Sequence, residues 1–281
     1  MPPKSPIIDI SEDPGLNRIP IQLKMTKEFI IDTPKYQWIR QVPDPRDIPY
    51  QLNLSTPISS TVDLRPWCSP IDNQLALGSC TGNATAGAIE YIDNRFNNKK
   101  ITVSRLFIYY YERLIEGTVN SDSGAMVRDA IKATYNYGAP LESLWPYNIS
   151  QYKVRPSPAA IADGVKRKVS LYQSVADFNG CINALHSGYP VLIGFDVYSS
   201  FESATVAKTG IMPYPNTKTE KLLGGHCVLL VGYDMSTDQF IVRNSWGTGW
   251  GIAGYFMMPF KVIQDTSMSS DFWIIKSVTN S

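Results

Sequence analysis

Apolar positions along the chain fall into two textures, one with the period of a helix and one with the continuity of a buried strand. From Cys80 onward, small and apolar residues recur at Ala84, Ala88, Tyr91 and Ile92, which make one face of a helix. Ser104 precedes the run Leu106-Phe107-Ile108-Tyr109-Tyr110-Tyr111 and predicts a second helix with a serine N-cap. After Gly124, the positions Val127, Ala130, Ile131 and Thr134 make a third helical stripe that ends at Gly138, a natural stop. Residues 144–158, rich in proline, read as irregular chain crossing between two lobes. A shorter helix is expected where Phe178, Cys181, Ile182 and Leu185 repeat at i, i+3, i+4 and i+7 before Gly188. Beyond it the texture turns to strands, at Val191–Phe195, Cys227–Val231, Phe240–Val242, Tyr255–Met258 and Phe272–Ile275. The order predicts an α+β protein, helical over about 58–170 and sheet-forming over about 171–281, with a cleft between the halves. No internal repeat or low-complexity tract interrupts it.

Residues 1–57 lack this regularity. They hold many prolines and isolated apolar pieces, Phe29-Ile30-Ile31 and Tyr36-Gln37-Trp38-Ile39, and the run from Val42 to Tyr50 has prolines that exclude a regular helix. Such an extension is either a strap packed on the body or an arm across the working cleft that must be displaced or cut. The compact part is expected to begin near Val62-Asp63-Leu64-Arg65.

Composition narrows the function classes. With 281 residues and 43% hydrophobic content the chain can fill a sizeable core. Its 26 Lys and Arg nearly balance 25 Asp and Glu, so nothing calls for nucleic acid or an anionic membrane as partner. No run approaches a membrane span, and the proline-rich start does not read as a secretory signal peptide, so a soluble, cytoplasmic monomer is expected, or one packaged in a virion if the source is viral. Four cysteines (Cys68, Cys80, Cys181, Cys227) have no zinc-site spacing, and keeping Cys80 free leaves too few for a disulfide framework. No metal and no cofactor is expected.

The chemistry concentrates at a few positions. Gln74 lies six positions ahead of Cys80, and Cys80 opens a helix, where unpaired N–H groups and the helix dipole favour a thiolate. A nucleophile needs a base, and the chain has two histidines. His186 sits in the last turn of a short helix, a place where imidazoles cap carbonyls. His226 follows Gly224-Gly225 at the mouth of a predicted strand, where the glycines let a ligand backbone come close. Asn244 ends a later strand and is followed by Trp246; an asparagine oxygen can fix the tautomer of a catalytic imidazole, and an indole can keep water off that bond.

In this order, Gln, Cys, His, Asn and Trp resemble the papain family of cysteine peptidases. The resemblance runs from about Val62 to Phe272 and rests on Asn73-Gln74, Gly78-Ser79-Cys80, Gly225-His226 and the stretch Asn244-Ser245-Trp246-Gly247-Thr248-Gly249-Trp250-Gly251. Cys80 and His226 are 146 residues apart, within the ~130–150 expected of the family. The resemblance implies a two-lobed fold and an endopeptidase acting on extended polypeptide. Cys80 would attack as the thiolate, its pKa lowered to ~3–4 by the imidazolium of His226, giving activity from mildly acidic to neutral pH. Asn244 would orient His226, and the Gln74 amide with the Cys80 N–H would bind the oxyanion. Ser123 and Gly124, with Gly225, would meet the substrate backbone. Met126, Gly194 and Ser270 would line the pocket for the side chain two residues before the cut, with no charge at its base and a preference for apolar side chains.

Leu77 stands where the family usually has a disulfide cysteine, and Thr81 where an aromatic residue usually follows the nucleophile. The arm before Val62 is shorter than the helical propeptides of secreted relatives and looks like the Trp- and Pro-rich leaders of bacterial and large-DNA-virus members; it is expected to inhibit in cis, as in a zymogen. Two other functions remain open from the residues: a silent peptidase-like scaffold with the arm closing the cleft, and a Cys–His acyltransferase.

Overall fold

The computed structural model describes residues 36–52, 55 and 57–279. The apolar piece at 29–31 and the rest of the first 35 residues lie outside the described residues, which all belong to one compact unit, Asp32–Ser281.

Helix α1 (Cys80–Phe96) is buried from Cys80 through Asp93. A helix covered on all sides can be approached closely only where its side chains are small. Gly82 meets α2 (Arg105–Ile115), where a Cβ would lie 2.9 Å from the Arg105 carbonyl oxygen. The predicted caps are in place: Ser104 Oγ accepts the Phe107 N–H (3.2 Å), and α3 (Val127–Tyr137) stops at Gly138 with φ of 76°. The interval expected to be irregular holds short 3-10 turns at Glu142–Leu144 and Ile149–Gln151 and leads into α4 (Pro158–Gly164), capped by Ser157. Later come α5 (Phe178–His186), α6 (Ala204–Thr209) and α7 (Phe260–Gln264).

The second half builds an antiparallel sheet, making the fold α+β as the sequence predicts. Its strands are β1 (Thr61–Asp63), β2 (Val169–Ser174), β3 (Val191–Tyr198), β4 (Leu222–Asp234), β5 (Gln239–Arg243), β6 (Tyr255–Pro259) and β7 (Ser269–Val278). Among the described residues the order is β2-β7-β3-β4-β5-β6, and β1 joins the far end of β4 through Thr61 and Asp234. Strands β1 and β2 escaped the sequence pattern because they are short and largely unburied, with no apolar run to mark them. Strand β1 also means that the lobes exchange chain, since the start of the body is pinned to the sheet of its second half.

The described part of the extension divides in two. Residues 41–50 form a strap. Tyr50 N–H donates to the Ser174 carbonyl (2.7 Å) and Ser174 N–H to that of Ile48 (2.8 Å), extending the β2 edge. Arg128 on α3 pairs with Asp47 (2.5 Å) and donates to the Val42 carbonyl (2.9 Å), while Trp273 Nε1 donates to Gln41 Oε1 (3.2 Å). Residues 36–40 do something else, described below.

Arg243, at the end of β5, holds the sheet to the loop that leads into α1. Its guanidinium donates to the carbonyls of Ser69 (2.6 Å) and Pro70 (2.7 Å) and faces Asp72 at 3.6 Å. Removing one partner of a buried ion pair costs about 3–5 kcal/mol. Arg243→Ala is expected to lose stability on that scale in urea unfolding, with Arg243→Lys losing less.

Candidate active site

Cys80 is the first residue of α1 and is fully buried. Ser79 before it makes no side-chain cap; its hydroxyl pairs with Tyr147 (2.6 Å) and accepts from Asn83 Nδ2 (3.0 Å), which fixes the turn into the helix. Burial pushes the Cys80 thiol up to about 11, against the pull of the backbone N–H groups of Cys227, Gln37 and Thr81 on its sulfur. One of those N–H groups belongs to the residue after His226 on β4, so the sulfur lies against the strand that carries the imidazole. Another comes from the extension.

His226 is also fully buried. Its Nε2 shares a hydrogen bond of 2.8 Å with Asn244 Oδ1, which is itself fixed by the Ser245 N–H (2.8 Å). Trp246 stacks on the imidazole at 5.1 Å and 24°, and Trp250, Phe201 and Phe256 pack around the indole or behind it. Burial lowers the His226 pKa to about 4, the Asn244 bond opposing it. Nδ1 has no hydrogen-bond partner among the described residues. The expected thiolate–imidazolium pair is therefore corrected for this closed form: dry surroundings favour the thiol and the neutral imidazole, because neither charge is solvated.

Gln74 is buried near both groups. Its backbone N–H donates to the Ser245 carbonyl (2.8 Å), its Oε1 accepts from Ser245 Oγ (2.7 Å), and its Nε2 donates to the Leu77 carbonyl (3.0 Å). Ser245 was part of the sequence motif without a role; the structure makes it the residue that sets the plane of the Gln74 amide. Asn73 bridges to Trp246 beside it. His186, the other histidine, ends α5 and accepts from the Ser59 N–H (3.4 Å), away from these residues.

Residues 36–40 of the extension fill the cleft. Tyr36 meets the rings of His226 (5.9 Å) and Trp246 (5.8 Å) edge-on and bonds through its hydroxyl to Glu202 (2.5 Å). Gln37 covers Cys80 and Gly124, where a Cβ would collide with its carbonyl. Trp38 N–H donates to the Gly225 carbonyl (2.8 Å) and Ile39 N–H to that of Ala125 (3.1 Å). The Trp38 indole lies on Gly194 and Gly225, where any side chain would clash with it.

Of the other residues expected at the substrate, Ser123 turns back on its own loop, donating to Thr118 Oγ1 (2.9 Å) and the Gly124 carbonyl (3.1 Å). Met126 caps α3, with its N–H held by Glu116 (2.8 Å). Ser270 pairs with Gly194 in the sheet, at the floor of the Trp38 pocket. The expectation of an uncharged base is overturned one residue later: Trp38 Nε1 donates to Asp271 Oδ2 (3.0 Å). Asp271 was invisible in the sequence pattern because it holds a left-handed conformation (φ 61°), which turns it out of the alternation of β7. All four cysteines are free thiols.

The comparisons bear on family and fold. A profile of papain family cysteine proteases matches residues 58–275. A peptidase C1-like protein of Acanthamoeba polyphaga mimivirus is 41% identical over 223 residues, 75% of this chain and 71% of that protein. Cysteine proteinase 3 of Entamoeba histolytica is 28% identical over 70% of this chain, which spans only 62% of that relative. Among solved structures, xylellain, a cysteine protease from Xylella fastidiosa, superposes with a TM-score of 0.82 at 35% identity, covering 88% of this chain and 97% of its own. Digestive procathepsin L 3 of Tenebrio molitor shares the fold at 21% identity (TM-score 0.65, 86% and 75% covered).

A neutral, buried His226 gives the closed chain a pH signature. Its pKa falls from 6.5 to about 4 on folding, so between those values the unfolded chain binds the extra proton and stability drops as pH falls. The full loss is about 3 kcal/mol. His226→Gln should flatten that part of the acid limb in urea midpoints measured from about pH 7 to about pH 4. An equally steep limb in both proteins would show that His226 does not titrate there.

Proposed function

The chain belongs to the papain family of cysteine proteases, and we propose that it is a cysteine endopeptidase, latent in the form described, that cuts extended polypeptide through a thioester intermediate. One observation carries the proposal: the buried end of α1 presents Cys80 to β4 beside an imidazole already tied to Asn244 and roofed by Trp246.

In the open cleft the Cys80 thiol gives its proton to His226 and attacks the peptide carbonyl. The tetrahedral oxyanion is held by the Cys80 N–H and Gln74 Nε2, the latter aimed by Ser245. His226 returns the proton to the leaving amine, and water, deprotonated by the same imidazole, releases the acyl group. Asn244 keeps the Nε2 proton facing itself, which leaves the Nδ1 lone pair for the thiol.

The arm is the inhibitor in this proposal. Trp38 and Ile39 occupy the Gly225 and Ala125 carbonyls that an extended substrate backbone would use, and Gln37 lies over the sulfur. The exclusion of water by the arm raises the thiol and lowers the imidazole pKa. Displacing it would restore solvent and permit the ion pair. The Tenebrio neighbour, a pro-form by its name, lends support to a segment of this kind.

Full-length protein should react slowly with a peptidyl epoxide, and Trp38→Gly should accelerate labelling at least tenfold, while Cys80→Ala abolishes it. Labelling at equal rates with and without Trp38 would refute inhibition by the arm; labelling of Cys80→Ala would refute the nucleophile. In the Trp38→Gly background, Gln74→Ala should lower kcat for a fluorogenic peptide by about 10²–10³-fold, and Ser245→Ala by about tenfold with little change in KM.

A further inference from the structure

The peptide between Leu77 and Gly78 is gripped at both ends. Its carbonyl accepts Gln74 Nε2 (3.0 Å), the group proposed above as an oxyanion donor, and its N–H donates to Asp122 Oδ1 (3.0 Å). A peptide unit is planar, so fixing the direction of its N–H fixes that of its carbonyl. Hydrogen bonds in series also polarise one another, which makes the Leu77 carbonyl a better acceptor while Gly78 donates. Asp122 thus acts on the Gln74 amide from the far side of one peptide.

The same oxygen reaches a second loop. Tyr109 on α2 donates its hydroxyl to Asp122 Oδ1 (2.5 Å), and that hydroxyl accepts the Gly124 N–H (3.2 Å). Gly124 precedes Ala125, whose carbonyl takes the Ile39 N–H of the arm. Tyr109 is fully buried beneath the Arg113 guanidinium (4.0 Å), which in turn donates to the Val119 and Ser121 carbonyls (2.8 and 2.9 Å). Burial and Asp122 together hold the phenol far above the usual tyrosine range, so it remains a donor. All four cysteines are free, and no disulfide ties the two loops.

We propose that Asp122 is a positioning residue for the peptidase reaction: it sets the Leu77–Gly78 peptide that aims Gln74 and, through Tyr109, the Gly124 backbone that meets the substrate. The proposal rests on the peptidase function above. Losing Asp122 lowers kcat through Gln74 and raises KM through Gly124, and the two branches separate in other variants.

The test uses the full-length chain carrying Trp38→Gly, with competent sites counted by a peptidyl epoxide and turnover measured on one fluorogenic peptide. Asp122→Ala should lower kcat about tenfold and raise KM as well. Asp122→Asn keeps an acceptor oxygen for both donors and should restore most of kcat. Tyr109→Phe leaves the Gly78 bond in place and should raise KM more than it lowers kcat. With Gln74→Ala added, Asp122→Ala should cost kcat almost nothing further, because the amide that it aims is gone. A kcat loss of the same size with and without Gln74, or no kcat loss per titrated site, overturns the positioning role while leaving the peptidase intact. Tyr109→Phe with KM unmoved overturns the Gly124 branch, whether or not Asp122→Ala folds. Absence of both epoxide incorporation and hydrolysis in the Trp38→Gly parent would remove the peptidase function and the proposal with it.

Discussion

The seam between the first turn of α1 and strand β4 is the constraint on which the rest of the structure depends. Cys80 is the first residue of a helix buried over most of its length, and the backbone N–H that follows His226 reaches its sulfur. A helix can be approached this closely on several sides only when its side chains are small: Ala84 lies with Cys227 and Val228 of β4, Gly82 against α2 and Gly87 against the Arg243 side chain. Glycine carries a helix-propensity cost of about 1 kcal/mol each time, which packing must offset. The close approach therefore fixes composition well beyond the reactive residue itself.

Four consecutive residues on the other side of that seam, where β5 ends at Arg243 and the chain bends at Ser245, do different jobs. Arg243 reaches down to the Ser69 and Pro70 carbonyls, Asn244 to His226, and Ser245 to Gln74, while Trp246 covers the imidazole. The chain leaves the strand after Arg243, so the side chains that follow turn to different neighbours, and one short segment grips both the loop before α1 and the imidazole. The consequence is coupling between stability and the proposed chemistry: a residue that anchors the fold is covalently next to one that orients the base. Gln74 and His226 belong to different halves of the chain, yet Asn244 and Ser245 touch both, the Asn244 side-chain oxygen at His226 and the Ser245 carbonyl at the Gln74 N–H.

What could be read in the sequence was whatever depends on local pattern. Ser104 and Gly138 mark helix ends because cap chemistry is local, and Phe178–Leu185 shows its period for the same reason. Cys80, His226 and Asn244 stood out by their order and spacing; His226 and Asn244 share a hydrogen bond, and the N–H of Cys227, next to His226, acts on the Cys80 sulfur. The base of the Trp38 pocket was not legible, since a left-handed aspartate in a strand defeats the alternation that sequence reasoning relies on. Nor was the protonation expected at Cys80, because burial by residues 36–38 is a tertiary effect with no trace in the residues around the cysteine. The extension gave two readings, strap and cleft cover, and both describe part of it: proline-rich chain has no period by which to divide residues 36–40 from 41–50.

Thr81 shows how a departure from a family pattern can be compensated at a distance. It stands where an aromatic residue is usual, directly after Cys80, and its hydroxyl donates to Glu112 Oε1 across 2.7 Å with both residues fully buried. An ionised carboxylate there would oppose a thiolate at Cys80 through the same low-dielectric interior. Burial, though, holds the Glu112 carboxyl well above the usual carboxylate range, which lessens the negative charge that would otherwise hold the Cys80 thiol up. The threonine hydroxyl alone would be an unsatisfied donor in the core, and the glutamate alone an unpartnered acid. Paired, the threonine hydroxyl is satisfied at Glu112 Oε1 while Oε2 stays without a hydrogen-bond partner among the described residues, so residue 81 makes physical sense only when read with a residue 31 positions away.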